Sequence, residues 1–213
     1  MPRIFSTIFI ILGFCYATDL TDAVIFADKP EFQSDQILIL QDGTRYHLDK
    51  SNKEVAVELT DGEPRFAGGF GDRFETFIEP VGIVTDGVSI FVCDRTGNKI
   101  IQFTRRLEFV QTIPINLPED MNLFYPSSIA VNKNGHLAIF SEDRNEIWTK
   151  HPHASSWTLI VDLNRQTIPI ICPDRIAYSD INTITIFSSC SDVEYFFSVF
   201  GRFITARLFS AEK

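Results

Sequence analysis

The side chains with ligand chemistry are mostly carboxylates, and they recur along the chain. Asp42, Asp94, Glu142 with Asp143, and Asp192 with Glu194 each stand in or beside a turn that follows an apolar run. Carboxylate oxygens suit Ca2+, a hard cation that takes six to eight oxygen ligands. Acids repeated on one face of a fold could therefore hold that ion. The same residue types also cap tight turns by accepting nearby backbone N–H groups, and this simpler account is preferred. Asp94, Glu142, Asp143 and Asp192 are thus candidate ligand or protein contacts, with no metal site assigned. His151-Pro152-His153 has the look of a metal pair, but it falls in a turn with no third ligand near in sequence and reads as an exposed loop. The chain contains no nucleophile elbow, P-loop, HExxH or paired CxxC motif, so no catalytic residue is assigned.

Sulfur and aromatic groups give two further leads. Cys172 and Cys190 stand at the start of one expected strand and the end of the next. Adjacent antiparallel strands bring such ends together, which favours a disulfide over two buried thiols. Cys93 lies in an apolar strand and reads as a core residue; a bond to another chain is the alternative. Trp148, Trp157, Tyr195, Phe196, Phe197 and Phe200 cluster towards the C-terminus. Phe196 and Phe197 are adjacent, so their rings take opposite faces of a strand. One of them is a candidate contact with a partner, including a second copy of the chain.

The elements that position these residues repeat. Pro80-Val81-Gly82-Ile83, Pro126-Ser127-Ser128-Ile129 and Pro173-Asp174-Arg175-Ile176 open three similar segments, with prolines 46 and 47 residues apart. Each segment reads as four short strands. In the first these are Ile83-Val84, Ile90 to Cys93, Lys99 to Phe103 and Leu107 to Ile113, with Asp86-Gly87 as a tight turn. The run Ile90 to Cys93 is almost wholly apolar, as befits a strand buried on both faces. Four antiparallel strands in about 35–45 residues make one blade of a β-propeller. A weaker unit precedes them, with strands expected at Val24 to Phe26, Ile37 to Leu40, Arg45 to Leu48 and Val55 to Leu59. The expected fold is all-β, a propeller of about four blades at about 23–59, 80–113, 126–162 and 173–209, in one domain over 18–213.

Pro80-x-Gly82-Ile83, Asp86-Gly87, Ile90-x-Val92-x-Asp94, Asn98-Lys99-Ile100 and Phe103 resemble an NHL repeat, and Gly68-Gly69-Phe70-Gly71 with Phe74 resembles the connector between such repeats. The likeness is good over 68–113, fair over 126–162 and poor over 173–209, where Ser188 and Ser189 replace the Val-x-Asp element. It implies a β-propeller, most often of six blades, that binds proteins, nucleic acids or small ligands. A few relatives are lyases or lactonases with bound metal, but no residue here matches their metal site. Four blades leave three forms open: a closed ring, an open arc, or a ring completed by a second chain.

The N-terminus has Arg3, an apolar run from Ile4 to Phe14, and Ala17 at a small-residue cut site. These are the parts of a secretory signal peptide cleaved after Ala17, and the run is too short for a comfortable membrane span. A buried first strand and a lipid anchor at Cys15 are the alternatives. With 28 acidic against 19 basic residues, the net charge is −9. Phosphate backbones repel such a chain, which argues against nucleic acid as a partner. Arg95, Lys99, Arg105 and Arg106 read as a solvated surface. The functional expectation is a secreted or periplasmic, non-enzymatic propeller that binds a protein or small ligand; the alternative is a metal-dependent hydrolase or lyase using a Ca2+-type site.

Overall fold

Strand pairing follows the sequence repeat. The structure, a computed structural model, describes residues 8–11, 14–17, 29–59, 63–71, 73–117 and 124–208. Its first sheet runs β1 (Ile8–Ile11), β2 (Phe14–Ala17), β3 (Gln36–Ile39), β4 (Arg45–Asp49), β5 (Glu54–Glu58) and β6 (Arg65–Gly68). The second holds β7 (Pro80–Thr85), β8 (Ser89–Asp94), β9 (Lys99–Thr104) and β10 (Phe109–Pro114). The third holds β11 (Ser128–Val131), β12 (Leu137–Ser141), β13 (Glu146–Lys150) and β14 (Thr158–Asp162), and the fourth β15 (Pro173–Asp180), β16 (Thr183–Ser188), β17 (Val193–Ser198) and β18 (Phe203–Leu208). All pairings are antiparallel between sequence neighbours, and the four blades make a β-propeller.

The period-2 geometry of a strand explains why the second strand of a blade is apolar throughout. On β8, Ile90 and Val92 enter the core shared with the first blade, while Phe91 and Cys93 enter the core shared with the third. A third core joins blades three and four around Phe140, Ile147, Ile184, Ile186 and Phe197. Burying each such side chain contributes roughly 1.5–3 kcal/mol, so blade stacking is the main stabilising term. Polar bonds fix the inner strands as well. The Gln36 amide donates to Ile83 O at 3.3 Å and accepts from Ile83 N at 3.2 Å, and Ser128 Oγ accepts from Ile176 N at 3.2 Å. No core cluster among the described residues joins the fourth blade to the first.

The first blade departs from expectation by one strand. The segment at 37–40 aligns with the first strand of the other blades rather than the second, although β2 pairs on its other side, and 55–59 aligns with the third rather than the fourth. The fourth is β6, which ends inside the glycine run read as a connector. Asp35 occupies the place held elsewhere by the leading proline, so no motif marks the start of this blade. The strand expected at Val24 to Phe26 lies outside the described residues.

The apolar segment read as a leader is paired in the full chain. β1 and β2 form a hairpin, and β2 joins β3 with Cys15 opposite Ile39 and Ala17 opposite Ile37. Among the described residues no helix is long and apolar enough to cross a membrane.

Candidate binding cleft on the connector face

The turn between the second and third strand of each blade lies on the same face as the connectors between blades. Its first residue comes from the end of strand two: Asp49, Asp94, Ser141 and Ser188, spaced 45, 47 and 47 residues apart. Asp94 is fully buried. Its carboxylate accepts from Ile78 N at 2.9 Å, Glu79 N at 2.8 Å and Gly97 N at 3.1 Å, tying the incoming connector to the turn. Gly97 permits this approach, because a Cβ there would stand 2.2 Å from Asp94 Oδ2. Asp49 acts in the same way on Gln33 N and Asn52 N, at 2.6 and 2.8 Å. Asp94 therefore belongs to the scaffold, and its oxygens are taken up by backbone.

The turn closes with a left-handed residue in every blade: Lys53, Asn98, Asn145 and Asp192, at φ of 58, 49, 56 and 50°. Asn and Asp tolerate this conformation better than most residues, which accounts for Asp192, an exposed turn residue. Its neighbour Glu194 is buried and paired with Arg207 at 2.5 Å. Asp42 sits at the opposite end of the propeller, in the β3–β4 turn, where hydrogen bonds from Arg105 and then Thr44 pull its carboxyl down to about 2. The acids thus do not form the single ring that their recurrence allowed. Among the described residues, no three His, Cys, Asp or Glu side chains are grouped so as to hold a metal ion.

One of the candidate acids, Glu142, lines open space, together with Asp174, which the sequence reading did not single out. Between the third and fourth blades the connector face opens into a cleft of about 430 Å³. Glu142 and Asn145 from the β12–β13 turn form one wall, and Cys172, Pro173, Asp174 and Ser189 form the other, with Ile170 between. The second wall is fixed covalently by the disulfide Cys172–Cys190, with Cα atoms 5.9 Å apart. Ser189 N also donates to Cys172 O at 3.3 Å, and Cys172 takes a left-handed φ of 47°. Burial raises the Asp174 carboxyl above its ordinary range, against the pull of Arg175. Asp143, next to Glu142 in the same turn, instead meets Arg95 of the second blade at 3.3 Å, and Arg95 also stacks over Tyr125 at 5.8 Å. Such an exposed pair contributes less than about 1 kcal/mol.

The aromatic pair separates as adjacent strand residues must. Phe197 is fully buried in the core of blades three and four and meets Phe203 edge-on at 5.5 Å, so it is not a partner contact. Phe196 points the other way, half-buried beneath the Arg207 guanidinium at 4.9 Å. Cys93 is a buried free thiol whose pKa burial pushes far up. The His151-Pro152-His153 turn gains a neighbour that the sequence did not reveal: His136, from the β11–β12 turn, brings its ring 4.3 Å from that of His151. These imidazoles lie on the face away from the cleft, because both turns close at the opposite strand ends.

The sequence matches no family model and no curated protein. Solved structures align with most of the chain. A virginiamycin B lyase from Staphylococcus aureus covers 94% of it at 16% identity with a TM-score of 0.63. Kluyveromyces lactis Hsv2 covers 95% at 11% identity with a TM-score of 0.53. The chain is a β-propeller. Its build is consistent with the NHL-like propeller that the repeat resembles. A streptogramin B lyase aligns with 80% of the chain at 13% identity and a TM-score of 0.57. The propeller spans 68% of the length of the first lyase, 52% of that of the second and 72% of that of Hsv2. At these identities the likeness carries the fold alone.

Proposed function

We propose that this propeller is a non-enzymatic binding module whose recognition site is the connector-face cleft between the third and fourth blades. One observation carries the reading: a cavity of about 430 Å³, within the range of ligand sites, lies where a disulfide fixes one wall and two acids, Glu142 and Asp174, line it. Its occupant is a small ligand or a segment of a partner protein, with no role for nucleic acid. The disulfide also fits a secreted or periplasmic setting, with the N-terminal apolar run removed after Ala17 rather than kept as a lipid anchor at Cys15. A fragment screen followed by amide NMR shifts tests the site. Shifts centred on Asn145, Asp174 and Ser189 are expected; hits that consistently map to other surfaces would overturn it.

A metal-dependent lyase or hydrolase is the second reading, and it rests on fold likeness to virginiamycin B lyases, one of them solved with quinupristin. Incubation of the chain with quinupristin and Ca2+, followed by chromatography, separates the two. Loss of quinupristin would replace the binding reading.

A further inference from the structure

On the outer face of the first blade a serine, a histidine and a glutamate stand in line. His47, on β4, is fully buried. Ser34 Oγ lies 2.9 Å from its Nδ1, and Glu58 Oε1, on β5, lies 3.0 Å from its Nε2. The segment bearing Ser34 is held on both sides. Gln33 N donates to Asp49 Oδ2 at 2.6 Å, Asp35 N donates to Leu48 O at 2.9 Å, and Phe32 packs edge-on against Phe66 at 5.8 Å. The hydroxyl is thus fixed over the ring, while Ser34 itself remains only half-buried. Burial lowers the His47 pKa against the opposing pull of Glu58, and repulsion from Arg45 has the same sign as burial, so the fold favours the neutral, basic form of the ring. The Nε2 to Glu58 contact is an ion-pair distance that lacks hydrogen-bond geometry; in the tautomer that carries its hydrogen on Nε2, the Nδ1 lone pair is left to accept the serine proton.

We propose that Ser34, with His47 as its base and Glu58 orienting the ring, is an activated nucleophile that accepts acyl or phosphonyl groups from reactive donors. The geometry places the hydroxyl, imidazole and carboxylate in the order that nucleophile activation requires, from three separate elements of the chain. With an activated ester as donor, Ser34 Oγ bonds to the carbonyl carbon and its proton passes to His47 Nδ1. The ester C–O bond then breaks, and the leaving oxygen takes the proton from Nδ1. General-base assistance alone is worth about 10²-fold or more over an unassisted hydroxyl. The site lies on a different blade from the cleft, and the proposal does not depend on the binding reading.

The test treats the full chain with a fluorophosphonate probe and locates the adduct by peptide mass. The expected result is an adduct on Ser34, absent in Ser34→Ala and slowed at least about tenfold in His47→Gln. Its rate should rise with pH and level off below the ordinary imidazole value of about 6.5, because burial lowers the His47 pKa. If His47→Gln fails to fold, Glu58→Gln serves instead, because that side chain is 34% exposed; a several-fold slower rate is expected. No adduct on Ser34, or an adduct whose rate is unchanged in both glutamine variants, would overturn the proposal.

Discussion

Replacing Asp94 by alanine removes one acceptor group that serves three backbone donors, at 2.8 to 3.1 Å, in a fully buried turn. Each buried donor left without a partner costs about 1–3 kcal/mol, less where water enters the space vacated. Allowing for one donor recovered by water, Asp94→Ala should lose about 3–5 kcal/mol, a large share of the roughly 5–15 kcal/mol of a typical domain. Asp94→Asn keeps the oxygen that serves Glu79 and Gly97 but turns an amide towards Ile78 N–H, so about half that loss is expected. The decisive comparison involves Gly97. Its alanine variant would place Cβ 2.2 Å from Asp94 Oδ2, but only while that carboxylate is present. Gly97→Ala should therefore cost about 1–3 kcal/mol alone and almost nothing in the Asp94→Ala background. Urea unfolding followed by far-ultraviolet circular dichroism gives all four corners of this cycle. Additive losses, or an Asp94→Ala loss under about 1 kcal/mol, would show that the carboxylate does not anchor the connector.

The same physics gives the opposite sign at the third blade. Among the described residues the buried Ser141 Oγ has no hydrogen-bond partner, so Ser141→Ala should be neutral or stabilise by about 1 kcal/mol in the same unfolding assay. His47 has a lowered pKa because burial disfavours its charged form. The unfolded chain then binds the proton more readily, so stability present above about pH 6.5 should fall as the pH drops below it, with a shallower fall in His47→Gln measured by thermal unfolding. Reducing Cys172–Cys190, which spans 18 residues, should lower stability by about 2–4 kcal/mol. Buried Cys93 should stay unreactive towards thiol reagents until the chain unfolds. Light scattering should report a monomer, because both terminal blades carry charged lids: Lys29 stacks over Phe66 on the first, and Arg175 and Arg207 over Phe187 and Phe196 on the fourth. A stable dimer would instead mark these faces as an interface.

Blades two to four were legible because their signals are local. A leading proline, an apolar second strand and a turn dipeptide recur at fixed offsets, and strand pairing between neighbours needs little else. The first blade was misplaced by one strand because Asp35 replaces the proline and nothing in composition separates its inner strand from its second. The recurrence of acids was visible, but their roles were not. Asp94 and Asp192 stand four and zero residues before the third strand's left-handed entry, and only the hydrogen bonds distinguish an anchor from a turn former. A better clue was available in the paired recurrence of Asp49 with Lys53 and Asp94 with Asn98, which marks a turn rather than a ligand. Contacts made across blades, such as Gln36 with Ile83, depend on stacking and leave no trace in spacing. The Ser34–His47 contact was hidden for a related reason: a loop folds back over its own blade.

The position of the cleft follows from a change of anchor within the repeat. In the second blade the Asp94 carboxylate holds the N–H groups of Ile78 and Glu79, just before Pro80. In the fourth blade the corresponding residues are Ile171 and Cys172, just before Pro173, and the anchor is Ser188. A serine side chain is too short to span both N–H groups; here its hydroxyl bonds instead to Ile171 O, and the adjoining disulfide to Cys190 supplies the missing tie. The left-handed φ of Cys172 redirects the backbone at the point where an anchored connector would lie flat against the turn. Beside this connector Glu142 and Asp174 line the cleft, and the Asp174 carboxyl also accepts from its own backbone N–H and that of Arg175. A covalent anchor holds this wall without drawing on the Glu142 carboxylate, which leaves that group available to a ligand.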